Sequence, residues 1–197
     1  MRPLKLTLEA FGPFAGKEIV DFTRVSDQQL FGIYGETGSG KSSIFEAIAY
    51  ALFGQGINLD LDDLFSAHSD ISALCKVQFI FEASNRKYLV ERSRTKKHGT
   101  RQSKATSYLF DVTDISLEDL SDANRGQVLV EKKGGDTTDK IEEILGYGSK
   151  EFSQIVLLPQ GKFQDFLLAN TGKKLEILNT LFDVSLYAKL SKKFSDD

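Results

Sequence analysis

Gly35-Glu36-Thr37-Gly38-Ser39-Gly40-Lys41-Ser42 fits the pattern G-x-x-x-x-G-K-[ST], the phosphate-binding P-loop. Upstream, Leu30-Phe31-Gly32-Ile33-Tyr34 predicts a buried strand leading in. Downstream, Ser43 to Phe53 predicts a helix leading out, with Ile44, Ile48 and Leu52 on one face and Gly54 as its stop.

The spacing follows from the chemistry of a polyphosphate. Gly35, Gly38 and Gly40 let the backbone bend and turn its N–H groups inward. The helix start adds unpaired N–H groups and a partial positive charge. Lys41 is placed to reach the β- and γ-phosphates of ATP. Ser42 is placed to ligate Mg²⁺, and Ser43 to hydrogen-bond a phosphate oxygen. The cofactor-binding candidates are therefore Gly35, Glu36, Thr37, Gly38, Ser39, Gly40, Lys41, Ser42 and Ser43.

Composition bounds the class. With 197 residues, the chain is one domain, or one and a fragment of another. A hydrophobic content of 41% supports a buried core, and a net charge of −3 carries no message about nucleic acid or membranes. No apolar run approaches membrane length, so no membrane partner is expected. Met1-Arg2-Pro3 leads into an alternating pattern without a signal-peptide core. The lone Cys75 excludes an intramolecular disulfide and fits a buried residue in a reducing cytoplasm.

Leu4 to Leu8 alternates with period two and predicts a strand; Phe11 to Phe14 predicts a turn and Lys17 to Phe22 a second strand. Residues 55 to 74 lack periodicity and carry Asp60, Asp62, Asp63 and Asp70, as an irregular acidic connection would. Strands are predicted over Lys76 to Glu82, Lys87 to Arg92 and Thr106 to Asp111, with a hairpin turn at Ser84-Asn85. Residues 112 to 126 are polar and predict loop, Gln127 to Glu131 a further strand, and Asp136 to Leu145 a short helix closed by Gly146, with Ile141, Ile144 and Leu145 inward. There is no internal repeat. This order departs from strict β-α-β-α alternation and predicts an α/β P-loop domain with a mixed sheet around the P-loop helix and an added antiparallel sheet.

Gln154-Ile155-Val156-Leu157-Leu158 predicts an apolar strand running into Pro159-Gln160-Gly161. At a phosphate-hydrolysing site a neutral amide such as Gln160 can ligate Mg²⁺ or hold the attacking water without adding charge. Gln160 and Lys41 are the catalytic candidates, and Ser42 and Gln160 the metal candidates.

Three stretches together resemble the SbcC family: Met1 through Gly16 with its Ala10-Phe11-Gly12-Pro13-Phe14, the P-loop, and Leu158-Pro159-Gln160-Gly161-Lys162-Phe163 through Leu167. SbcC proteins are the ATPase subunits of bacterial SbcCD DNA-repair nucleases and relatives of SMC proteins. The resemblance runs from Met1 to about Tyr187. It implies an ABC-type ATPase head split along the chain. The N-terminal lobe carries the P-loop and Q-loop glutamine. A long antiparallel coiled coil follows, and a C-terminal lobe carries the signature motif and Walker B acid. It implies the C-terminal lobe, a second head, the SbcD nuclease subunit and double-stranded DNA as partners, and a cytoplasmic, nucleoid-associated location. Neither late motif is in this sequence: Tyr108-Leu109-Phe110-Asp111 is followed by Val112 rather than an acid, and no Ser-Gly-Gly occurs. The expected organisation is an N-terminal lobe over 1–171 and a helix over 172–197 leading into the coiled coil, with apolar Leu175, Leu178, Leu181, Phe182, Leu186, Leu190 and Phe194. Lys174 stands where the family usually has an arginine; lysine lacks that planar fork.

Arg92, Arg94, Lys96, Lys97, Arg101 and Lys104 form a basic run without acids. Arg94, Lys96, Lys97 and Arg101 are candidates for DNA phosphates; the alternative is a solvated loop. His68 and His98 have no neighbours at metal-ligand spacing. Two rival readings are an SMC- or RecF-type DNA-bridging ATPase without a nuclease and a transporter nucleotide-binding domain. The transporter class carries P-loop, signature and Walker B in one continuous stretch, which this sequence lacks.

Overall fold

Period-two alternation becomes a single antiparallel sheet in the computed structural model, which describes residues 1–25, 32–58, 60–70, 74–95, 104–121, 123–131 and 134–155. The strands are β1 (Arg2–Phe11), β2 (Phe14–Asp21), β3 (Leu74–Ala83), β4 (Arg86–Thr95), β5 (Ala105–Asp111) and β6 (Gln127–Glu131), in the order β2-β1-β3-β4-β5-β6. Each predicted strand from Leu4 to Leu8 through Gln127 to Glu131, apart from the one before the P-loop, is present, most of them extending a little beyond their predicted ends. Helices α1 (Lys41–Phe53) and α2 (Gly134–Leu145) join this sheet in a compact unit, Met1–Gly146. A second unit, Tyr147–Asp197, contains the short α3 (Ser149–Ile155).

The β3–β4 hairpin turns at Ser84 and Asn85, with φ of 50° and 61°. Two consecutive left-handed residues are what a two-residue type I′ turn requires. The β1–β2 turn is equally tight, with Gly12 at φ 54°. Just before it the register slips between Glu9 and Phe11, and Ala10 is left-handed at φ 50°. That bulge is pinned from the acidic connection: Gly12 N–H donates to Leu64 O at 2.8 Å and Ser66 N–H to Ala10 O at 3.0 Å.

Leu6, Phe79, Val90 and Leu109 stand opposite one another along the ladder and are fully buried. This is the face against which α1 packs. The sequence predicts one apolar face for α1, but the helix is buried nearly all round from Ile44 to Phe53, with Phe45 as the exception. Ala47, Ala49 and Ala51 keep it thin enough for that. On the opposite face Leu4, Ile80, Leu89, Phe110 and Val112 form a second cluster. The predicted loop after β5 covers it with Leu117 and Leu120. In α2, Ile141 is fully buried while Ile144 and Leu145 are half-buried, and Gly146 at φ 78° closes the helix as predicted.

Two expectations need correction. Gly32-Ile33-Tyr34 is not strand, and Tyr34 is 94% exposed; Leu30 and Phe31 lie outside the described residues. They pair with no strand of the described sheet, and a strand without a ladder partner leaves its N–H and C=O groups unpaired. Likewise Gln154 and Ile155 end α3 rather than begin a strand. A short apolar run fits either state, and here Glu151 accepts a hydrogen bond from Gly148 N–H at 3.0 Å, a helix-start contact that decides for helix. Among the described residues all strand pairs are antiparallel, so the parallel part of the expected mixed sheet is not among them.

Candidate nucleotide-binding site

The P-loop runs exposed from Gly35 to Ser39 and passes directly into α1. Gly38 and Gly40 are left-handed, at φ 86° and 88°. Glycines in this conformation turn successive N–H groups into one concavity. The N-cap of α1, Gly40, makes no side-chain cap, which leaves the first-turn N–H groups to an anion. Lys41 folds back over the loop: its Nζ donates to Gly35 O at 2.9 Å, Glu36 O at 2.6 Å and Ser39 Oγ at 3.4 Å. The ammonium thus sits over the concavity with its charge uncompensated by any carboxylate in these bonds. Ser42, the second helical residue, is exposed. Converging donors, a lysine and an exposed hydroxyl fit a polyphosphate with Mg²⁺. Among the described residues no cluster of three His, Cys, Asp or Glu could hold a metal without such a ligand.

The loop's shape is imposed from outside it. A Cβ on Gly40 would stand 2.7 Å from Phe14 Cζ and 2.8 Å from Pro13 Cγ. A Cβ on Gly12 would meet Ser43 Oγ at 3.4 Å. The β1–β2 turn therefore packs against the junction of P-loop and α1. Two of the stretches that carry the sequence resemblance meet in space.

The far end of α1 is held by Arg92 of β4, a side chain the sequence offers only as part of a basic run. Arg92 is 5% exposed. Its Nε donates to Ala51 O at 2.7 Å and its Nη2 to Leu52 O at 3.0 Å, while Nη2 also reaches Thr138 Oγ1 at 2.8 Å and Nη1 reaches Gly134 O at 3.4 Å, both in α2. A cation at a helix C-terminus meets the negative end of its dipole. Burial pulls the guanidinium down to about 10, so it stays charged at neutral pH. Glu46 holds the loop beyond α1, accepting from Ile57 N–H at 2.6 Å and Asn58 N–H at 3.1 Å. An acid inside an otherwise apolar helix was the available signal for Glu46; nothing in the sequence distinguished Arg92 from its basic neighbours.

The remaining candidates divide. Arg94 is half-buried on β4, and its Nε is sealed from solvent without a hydrogen-bond partner. Lys96, Lys97, Arg101, Gln160 and the 172–197 helix lie outside the described residues. Asp111, nearest to a Walker B acid in sequence, accepts from Thr113 N–H at 3.0 Å and pairs with Arg86 at 3.3 Å, a turn-closing role. Cys75 is buried as expected, and burial raises its thiol to about 12. His68 is exposed. No helix among the described residues is long and apolar enough to cross a membrane.

Comparison with known proteins sets this geometry in a family. Residues 5–194 match the AAA domain family. The C subunit of nuclease SbcCD from Vibrio cholerae is 38% identical over 98% of this chain and 19% of its own length. The proteins of the same name from Staphylococcus saprophyticus and Staphylococcus aureus are 36% and 38% identical, over 100% and 93% of this chain and 19% and 17% of their own lengths. The chain spans less than a fifth of these relatives. The SMC head domain from Thermotoga maritima aligns with 71% of this chain and 42% of its own, at 22% identity and a TM-score of 0.44. With its P-loop formed at the head of α1 and nearly its whole length similar to the C subunit of nuclease SbcCD, this chain belongs to the AAA domain family.

Proposed function

We propose that the chain is the ATP-binding N-terminal lobe, residues 1–171, of an SbcC-like protein, continued by a helix over 172–197 that enters a coiled-coil arm. The observation that carries this reading is the P-loop with Lys41 folded over it at the start of α1, in a chain similar to SbcC proteins along nearly its whole length. Lys41 and the α1 N-terminus hold the phosphates of ATP, and Ser42 with Gln160 holds Mg²⁺ or the attacking water. The signature motif and catalytic acid come from the C-terminal lobe, which completes the shared fold. ATP then bridges two heads, and its hydrolysis gates cleavage of double-stranded DNA ends and hairpins by an SbcD-type nuclease in the cytoplasm. Arg94, Lys96, Lys97 and Arg101 contribute contacts to DNA phosphates.

Calorimetry with ATP–Mg²⁺ tests the site directly. The 197-residue chain should bind ATP, lose binding with Lys41→Ala, and hydrolyse it poorly. Robust turnover by the purified chain would sink the split-site reading. Nuclease activity on adding an SbcD protein to the full-length protein separates this reading from a DNA-bridging ATPase without a nuclease. Co-expression with the C-terminal lobe should raise the melting temperature; no complex on gel filtration would contradict the shared fold.

A further inference from the structure

Three non-glycine residues among those described have a left-handed backbone: Ala10, Ser84 and Asn85. Ser84 and Asn85 are accounted for by their two-residue hairpin. Ala10 is not, because the turn between β1 and β2 lies beyond it, at Gly12 and Pro13. Ala10 is 2% exposed and stands at φ 50°. That conformation is costly for any residue with a Cβ and persists only where the surrounding structure imposes it.

The imposing contacts come from residues 64–66. Ala10 O accepts from Ser66 N–H at 3.0 Å, and Gly12 N–H donates to Leu64 O at 2.8 Å, so Phe11 and Phe65 stand opposite each other in an isolated antiparallel bridge. Leu64, Phe65 and Ser66 are all buried. Phe11 is fully buried, with its ring 6.1 Å from that of Tyr50 on α1. The bridge fixes where Gly12, Pro13 and Phe14 emerge, and these are the residues that meet Ser43 and Gly40 at the P-loop. Gly12 is itself left-handed at φ 54°, yet a Cβ there would come no closer than 3.4 Å to Ser43 Oγ. A substitution at Gly12 therefore acts through the backbone of the turn more than by collision.

We propose that Ala10 and Gly12 are positioning residues for the nucleotide: their left-handed backbones, clamped by residues 64–66, hold the β1–β2 turn where it shapes the P-loop, and ATP binds this clamped form. This rests on the reading of the P-loop as an ATP site. Both residues act through Ser43 and Gly40. Because Ala10 makes the clamped form costly, the turn is able to let go, and bound nucleotide opposes its release. Clamping and binding favour each other by the same factor.

The test uses the full-length protein and AMP-PNP–Mg²⁺, with affinity read by calorimetry and the clamp by amide hydrogen exchange. AMP-PNP should slow exchange at the Gly12 and Ser66 amides about fivefold more than at Val112 N–H, which bonds Lys87 O at 2.9 Å. Gly12→Ala should weaken AMP-PNP binding about tenfold, and adding Ala10→Gly should recover about threefold of that loss, since glycine escapes the left-handed cost. Ala10→Gly alone should slow exchange at Gly12 and Ser66 in the nucleotide-free protein. Equal slowing at all three amides overturns the proposal, as does a double variant no better than Gly12→Ala, or a Gly12→Ala protein that melts earlier but binds AMP-PNP as wild type does. Binding that survives Lys41→Ala overturns the ATP reading and this proposal with it; Lys41-dependent binding indifferent to residues 10 and 12 overturns this proposal alone.

Discussion

The ring of Phe14 fills the space beside the α-carbon of Gly40, so closely that a Cβ on Gly40 would stand 2.7 Å from Phe14 Cζ. The P-loop is thus shaped by a turn that lies far from it in sequence. Gly40 is constrained twice, by this packing and by its φ of 88°.

Gly40→Ala should therefore destabilise the protein by about 1–3 kcal/mol from backbone strain alone, with the collision adding to it. Phe14→Ala should cost stability by itself, yet in the double variant it should return part of the Gly40→Ala loss. Urea unfolding of the four proteins in this cycle measures the coupling. Additive losses would mean that the ring and the glycine are independent.

Arg92 is expected to be structural. Arg92→Leu strands the Ala51 and Leu52 carbonyls and should cost about 2 kcal/mol or more. Arg92→Lys keeps a charge but not the fork, so it should recover only part of that loss. Equal stability of the lysine variant and wild type would show that charge rather than geometry is what matters.

Cys75 gives a signature in pH. Its thiol ionises at about 12 in the folded protein and near about 8.5 in an unfolded chain. The unfolded state therefore releases this proton first as pH rises. The contribution of Cys75 is fully present below about pH 8.5 and is lost progressively up to about 12. Cys75→Ala should flatten that alkaline decline in the melting temperature. At about pH 8, below the unfolded-state value, a thiol reagent should label Cys75 only as fast as the protein opens.

Gln160→Ala in the full-length protein should keep most ATP binding and lose most hydrolysis. A variant with wild-type turnover would return Gln160 to the status of a turn residue.

Replacing Arg94, Lys96, Lys97 and Arg101 by Ser in the full-length complex should weaken binding to every duplex alike. The salt dependence should fall by about one unit of log–log slope for each DNA phosphate no longer engaged. ATP binding should be spared. An unchanged affinity and slope would make the run a solvated loop.

Much of the sheet was legible because alternation and turn residues are local: Ser84-Asn85 marks its hairpin, and Val77, Phe79 and Phe81 mark a buried face. The P-loop was legible because its glycines and lysine act within one short stretch. What stayed hidden depends on partners distant in sequence. Arg92 looks like Arg94, and only the tertiary fold reveals that one caps a helix while the other keeps a sealed, unpartnered Nε. The apolar run before the P-loop promised a strand, but pairing requires a neighbour, and the described sheet supplies none.

Helix α1 is gripped at both ends, by Pro13 and Phe14 at Gly40 and by Arg92 at Ala51 and Leu52. A rod fixed at two points cannot pivot unless one fixing breaks. A pull on its phosphate-binding end is therefore borne by β4 and the β1–β2 turn together, and the sheet turns with the rod. Tilting the helix by itself would first have to break the Arg92 bonds or open the packing at Gly40.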